Sequence, residues 1–245
     1  MVIDKRRLRL ALFISGGATT ASSIITVCKS GRLKINPVLV IASRKDIDGI
    51  KRVQKAGFLK KDIAVINPEF CKDASQFAEK LLTACRRYKV DLVGQYGWLP
   101  LTPKKFINVY KGMIINQHPG PLDPPRADFG GKGMFGRRVH AAVLYFRRAT
   151  KHDFWTEAVT HFVTPEFDKG EVIKRQQIKI QGNDTVEDLQ KRVLPIEHEV
   201  QIETLDDFVK GRVKIFKRSI PLIQRNELDI LQSAKRIAAI LYPYG

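Results

Sequence analysis

Asn116 and His118 stand two positions apart at the end of an apolar run, Met113-Ile114-Ile115, and Pro119-Gly120-Pro121 follows at once. Residues i and i+2 of an extended segment share one face, so an amide and an imidazole are presented side by side. The prolines stop the strand and stiffen the chain beyond it, which holds both groups on a rigid edge. Ligand crevices in open parallel sheets form at the carboxyl ends of strands, so this donor pair is a candidate for polar catalysis. The same residues could equally be a turn cap and a structural histidine.

Two further segments carry chemistry-bearing side chains. Ser15-Gly16-Gly17-Ala18-Thr19-Thr20 lies between an apolar strand and a helix pattern. Small residues, hydroxyls and a helix amino terminus suit a phosphate, although a plain strand-to-helix turn uses the same residues. The segment meets neither the Gly-x-Gly-x-x-Gly nor the Gly-Lys-Ser/Thr pattern, which disfavours nicotinamide dinucleotides and nucleoside triphosphates. In His161-Phe162-Val163-Thr164-Pro165-Glu166-Phe167-Asp168-Lys169-Gly170, the proline and glycine bracket a loop at a strand end. Asp168 can project from it into a crevice, and a carboxylate near the His118 ring would favour its charged form.

These residues must be positioned by an α/β framework. Apolar β-type runs at Leu8 to Ile14, Pro37 to Ala42, Ile63 to Ile66, Val90 to Tyr96 and Gly112 to Asn116 alternate with helix patterns. The helices are expected at Ala21 to Lys29, Gly49 to Ala56 and Ser75 to Tyr88. This rhythm predicts a doubly wound, mostly parallel open sheet with helices on both faces. After Gly120 to Gly136 come a helix at Arg137 to Ala149 and β runs at Glu157 to Val163 and Val172 to Ile180, expected as an antiparallel edge addition. A long helix is expected at Val186 to Lys210, kinked or broken at Pro195, and a last one at Glu227 to Leu241.

The 245 residues carry 43 Lys+Arg against 25 Asp+Glu, a net charge of +18 that attracts anions without naming them. Basic residues are dispersed, so nucleic acid is a lesser expectation and phosphorylated small molecules suit the charge equally. No run of about 18 apolar residues predicts a membrane span. The amino terminus lacks a signal-peptide core, so the cytoplasm is expected. Cys28, Cys71 and Cys85 have neither disulfide nor zinc spacing.

Asn116-x-His118-Pro119, then His161-Phe162-Val163, then Asp168-x-Gly170, in this order and with the opening Ser-Gly turn, resembles the signature of folate-dependent formyltransferases. The resemblance runs from about Leu8 to about Gly211. It implies a Rossmann-like formyltransferase domain over 1–211, with 212–245 as a helical extension packed on it. It implies Asn116, His118 and Asp168 as the catalytic trio and His161 as a supporting histidine. Gly16, Gly17, Ala18, Thr19 and Thr20 would hold the substrate phosphate and Glu197 its ribose. Trp98, Leu99, Pro100 and Leu101, with Thr164, Phe167 and Asp168, would line the folate pocket.

The co-substrate implied is 10-formyltetrahydrofolate, with no metal and no covalent intermediate. The expected acceptor is the primary amine of a phosphorylated small molecule, glycinamide ribonucleotide first; a nucleotide-linked amino sugar, methionyl-tRNA or a non-catalytic RNA-binding role are the alternatives. A homodimer is compatible with the sequence. Three departures stand out: Gly16-Gly17-Ala18-Thr19-Thr20 replaces the family's usual Gly-x-Gly-Ser/Thr-Asn, Gly120-Pro121-Leu122-Asp123-Pro124 replaces Ser-Leu-Leu-Pro after the His-Pro, and Leu99 stands where a basic residue is frequent.

Overall fold

The computed structural model describes residues 7–245, so the reading of the first six residues as a lead-in without a signal core lies outside the described residues. The chain forms two compact units, one of residues up to Asn116 with Gln201–Val213, the other of Gln117–Val200 with Lys214–Gly245.

The first unit holds β1 (Arg9–Ile14), α1 (Thr19–Lys29), β2 (Asn36–Ala42), α2 (Asp48–Lys55), β3 (Ile63–Val65), α3 (Ala74–Arg87), β4 (Leu92–Gln95), α4 (Lys104–Val109) and the start of β5 (Ile114–His118). β1 pairs in parallel with β2 and β4, β2 with β3, and β4 with β5. Leu10 to Ile14 and Leu39 to Ala42 are all buried. Such unbroken apolar strands are what a parallel sheet covered on both faces demands. α3 begins where the Asp73 carboxylate accepts from the Gln76 N–H at 2.8 Å, and it buries Phe77, Leu81, Leu82 and Cys85. α4 was not expected: its six residues bury only Phe106 and Ile107, too short a pattern to show a helical period. The expected strand at Gly112 to Asn116 begins two residues later and continues to His118.

The second unit contains the end of β5, α5 (Arg137–Thr150), β6 (Trp155–Phe162), β7 (Val172–Lys179), most of α6 (Val186–Lys210) and α7 (Leu228–Leu241). β6 and β7 are antiparallel, and the strands of the seven-stranded sheet follow the order β3-β2-β1-β4-β5-β6-β7. α6 runs through Pro195 as one helix, with Glu187 and Asp188 in its first turn and Lys210 in its last, charges that suit its dipole. Of the kink or break expected at Pro195, the break is therefore corrected. A proline removes one backbone donor, a loss a 25-residue helix tolerates better than a short one. α5 and α7 share a core that includes Val139, Val143, Phe146, Leu231, Ala234 and Ala238. Arg147 is wholly buried within this unit, its guanidinium 4.7 Å from the Trp155 ring centroid and 5.5 Å from that of Phe146.

The turn between β6 and β7 depends on Gly170. A Cβ there would stand 1.6 Å from the Phe162 carbonyl oxygen, a backbone atom that also cannot move freely because Phe162 N–H donates to Glu171 O at 3.0 Å. Gly170→Ala is therefore expected to cost about 3 kcal/mol or more in denaturant unfolding. Gly182→Ala, where a Cβ meets nothing within 4 Å, serves as the control and should stay within about 0.5 kcal/mol of the parent. Equal effects would contradict this account of the turn.

Candidate active site

Asp168 lies in the β6–β7 loop with φ 55, a left-handed backbone that turns its carboxylate inward. The side chain is buried, and Gly131 N–H donates to Oδ2 at 2.8 Å. His161 Nε2 stands 3.4 Å from Oδ1, and His118 Nδ1 stands 3.7 Å from Oδ2. Burial alone would raise this carboxyl, but the His118 ring, the His161 bond and the Gly131 N–H together hold it well below the ordinary carboxylate range. Asp168 is thus ionised in the interior. Gly130 makes this possible by close approach: a Cβ on it would lie 2.6 Å from the Asp168 Cβ.

His118 ends β5 and is buried. Its ring hydrogen-bonds the Phe129 backbone carbonyl, while Nε2 has no partner among the described residues. A carbonyl can only accept, so the proton of the neutral ring sits on Nδ1 and the lone pair on Nε2. Burial pushes His118 below its ordinary value; Asp168 and the Phe129 carbonyl pull the other way, and His161 and Lys235 add to the lowering. Desolvation of the imidazolium thus opposes the carboxylate 3.7 Å away, and the net direction favours the neutral ring. His140, also buried, is pushed down to about 3, chiefly by burial. His161 Nδ1 lies 2.8 Å from the Phe162 carbonyl, which orients Nε2 toward Asp168.

Asn116 is in the same strand as His118, two positions earlier, and is in register with Gln95 of β4. Strand alternation puts its side chain on the His118 face and Gln117 on the other. Glu197 goes with Gln117: Gln117 Nε2 donates to Glu197 Oε1 at 2.5 Å. The structure thus brings Glu197 to Gln117 and not to His118. Burial raises the Glu197 carboxyl to about 7, with the Gln117 bond opposing.

In the first unit, Gly16 and Gly17 are exposed, and Ala18 adopts φ 53 as the residue before α1 without a side-chain cap. The first N–H groups of α1 are therefore left to solvent or an anion. Ser15 Oγ accepts from Ser43 Oγ at 2.8 Å and from Leu99 N–H at 3.0 Å, tying the turn to the segment after β4. Arg52 of α2 donates to the Gly17 carbonyl, which brings a guanidinium to the turn. Sequence reasoning missed Arg52, because nothing local distinguishes it from the neighbouring surface lysines. The Trp98 ring is buried against Phe13 at 5.0 Å and Phe77 at 6.3 Å, a core position, whereas Leu99 and Leu101 are exposed. Thr164 Oγ1 donates to the Glu166 carbonyl at 2.9 Å within its own loop, and Phe167 is half-buried.

A buried ionised aspartate between two histidines, at the carboxyl end of a strand in this sheet, agrees with the match of the Formyl transferase family profile to residues 8–205. The chain belongs to the formyl transferase family and is a formyltransferase. The phosphoribosylglycinamide formyltransferase, chloroplastic, of Arabidopsis thaliana is 30% identical over 226 residues, 91% of this chain and 73% of that protein. The crystal structure of glycinamide ribonucleotide transformylase 1 from Symbiobacterium toebii matches with a TM-score of 0.73 at 27% identity, over 89% of this chain and 98% of that one. A formyltetrahydrofolate deformylase from Pseudomonas syringae pv. tomato shares the fold, with a TM-score of 0.69 at 18% identity over 86% of this chain and 64% of that one. Among the described residues, no helix is long and apolar enough to cross a membrane.

Glu197 offers a test of the buried geometry. Because its folded value, about 7, exceeds the ordinary 4.5, its contribution to stability is full below pH 4.5 and is lost as pH rises to 7. Glu197→Gln keeps an acceptor for Gln117 and adds a donor for Gln117 Oε1, which has no partner among the described residues. This variant is expected to match the parent near pH 4.5 and to exceed it above pH 7 by on the order of 1–3 kcal/mol in denaturant unfolding. A variant less stable at pH 8 would contradict the assignment. A raised KM for the acceptor in the same variant would support the ribose contact expected of Glu197.

Proposed function

We propose that this enzyme transfers the formyl group of 10-formyltetrahydrofolate to the primary amine of glycinamide ribonucleotide, a step of purine biosynthesis. The observation that carries the reading is the buried Asp168 carboxylate 3.7 Å from His118 Nδ1, with His118 Nε2 uncommitted among the described residues. The names carried by its relatives support the acceptor.

In this reaction the amine attacks the formyl carbon, and a C–N bond forms as the carbonyl becomes a tetrahedral oxyanion. The Asn116 amide donates to that oxygen, a type of stabilisation worth about 3–4 kcal/mol per donor. The amine proton passes to the His118 ring, and Asp168 stabilises the imidazolium so formed. The intermediate collapses by breaking the bond to the folate nitrogen, which takes the proton back from His118. Atoms and charge balance without a covalent enzyme intermediate.

The turn Gly16 to Thr20, with the Arg52 guanidinium, holds the phosphate, and Glu197 holds the ribose. Trp98 to Leu101 and the Thr164, Phe167 and Asp168 loop serve the folate; Trp98 does so by shaping the core beneath Leu99 and Leu101, since its own ring is buried. In this reading the reaction takes place in the cytoplasm. The net charge of +18 suits two anionic substrates.

His118→Ala and Asp168→Asn are each expected to lower kcat by about 10²- to 10⁴-fold, measured on enzyme shown to be folded at the assay temperature. Near-parental turnover in both would remove the site assignment. Transfer to an amino-sugar nucleotide or methionyl-tRNA, with none to glycinamide ribonucleotide, would keep the site and replace the acceptor.

A further inference from the structure

α7 lies beyond residue 205, where the family match ends, yet it reaches the loop that holds Asp168. Leu231, Ala234 and Ala238 dock the helix in the core it shares with α5. Lys235 emerges next to this row, half-buried, and its ammonium donates to two carbonyls, Asp128 O at 2.8 Å and Gly130 O at 2.7 Å. These two carbonyls flank a third, that of Phe129, which accepts from the His118 ring. The next group along the chain, Gly131 N–H, donates to Asp168 at 2.8 Å.

Four backbone groups of residues 128–131 are thus engaged, two by Lys235, one by His118 and one by Asp168. The Gly130 carbonyl and the Gly131 N–H belong to one planar trans peptide and point in opposite directions. Fixing the carbonyl on Lys235 therefore aims the N–H at Asp168. The neighbouring peptides follow the same logic: Asp128 O on Lys235 constrains the rotation that presents Phe129 O to His118. Glycines at 130 and 131 resist such rotation least of all residues, and Gly131 has φ 98, so the Lys235 bonds add to the restraint that Gly130 N–H on Ala127 O at 2.6 Å and Met134 N–H on Gly131 O at 3.0 Å already supply.

We propose that Lys235 is a positioning residue for formyl transfer, clamping the 128–131 backbone so that Phe129 O orients His118 and Gly131 N–H holds Asp168. The inference rests on the reading of His118 and Asp168 as the catalytic pair. It gives residues 212–245, proposed here as a helical extension of the formyltransferase domain, a part in catalysis. Asp128, Asp168 and His118 are the titratable groups that sense the Lys235 charge.

The test is a double-mutant cycle on the full-length enzyme, with 10-formyltetrahydrofolate and glycinamide ribonucleotide in single turnover at saturation. Lys235→Met, similar in length but without donors, should lower kcat by on the order of 10- to 100-fold with KM for the acceptor unchanged. Lys235→Arg, which keeps charged donors, should recover most of that loss. In an Asp168→Asn background, Lys235→Met should cost less than in the parent, because the part of its effect that passes through Asp168 is already lost. Should the Met variant fail to fold, Lys235→Gln, too short to span both carbonyls, carries the same comparison. A Met or Gln variant within twofold of the parent would overturn the inference, as would an equal further loss in the Asp168→Asn background. Normal turnover by Asp168→Asn alone would instead overturn the reading of the catalytic pair.

Discussion

The second unit is organised around a buried carboxylate that must stay ionised. Moving such a group out of water costs several kcal/mol unless donors replace its solvation. Asp168 obtains them from Gly131 N–H and His161, with the His118 ring 3.7 Å away. Much of the local sequence follows from this constraint. Gly130 has no room for a side chain, Asp168 adopts a left-handed backbone, Gly170 lets the hairpin close, and His161 is fixed by the Phe162 carbonyl. The Gly-rich loop, which could have been a free flap, is anchored by Phe129 in the core and by Lys235 on its carbonyls.

Donor supply also explains why three buried carboxyl groups of this unit behave differently. Asp168 is held low by several donors, whereas Glu197, with the single amide of Gln117, is raised to about 7 by burial. Asp128, desolvated but near Arg126 and Lys235, is raised to about 6. Desolvation acts on all three, and the number and aim of the donors decide the outcome. The same balance leaves His118 neutral at rest, able to accept a proton during reaction and to be stabilised by Asp168 only once it has done so. Charge stabilisation then appears with the transition state, where it accelerates the reaction.

The framework was readable because parallel strands buried on both faces leave unbroken apolar runs such as Leu10 to Ile14, and helices such as α3 announce themselves with Asp73 and a regular apolar row. α4 was not readable, since two buried residues make no period. Residue type and order singled out Asn116, His118 and Asp168, and the structure brings His118 and Asp168 within 3.7 Å of each other. The charge state of His118 was not, because burial depends on tertiary neighbours that no spacing reveals. Arg52 and Lys235 were hidden for a related reason: in a chain with 43 basic residues, a lysine or arginine that serves the backbone of a distant loop looks like any other. Trp98 looked like a pocket wall and proved to be core, since an aromatic after a strand reads the same in either role.

The central claim is that the Phe129 carbonyl orients a neutral His118, beside Asp168, whose Nε2 is free to take the amine proton. ¹⁵N NMR of the His118 ring in the free enzyme tests it most directly. The account predicts at pH 7 a protonated Nδ1 and an unprotonated Nε2, with the ring charging only as pH falls below its ordinary 6.5. An imidazolium at pH 7, or a proton resident on Nε2 in place of Nδ1, would contradict it.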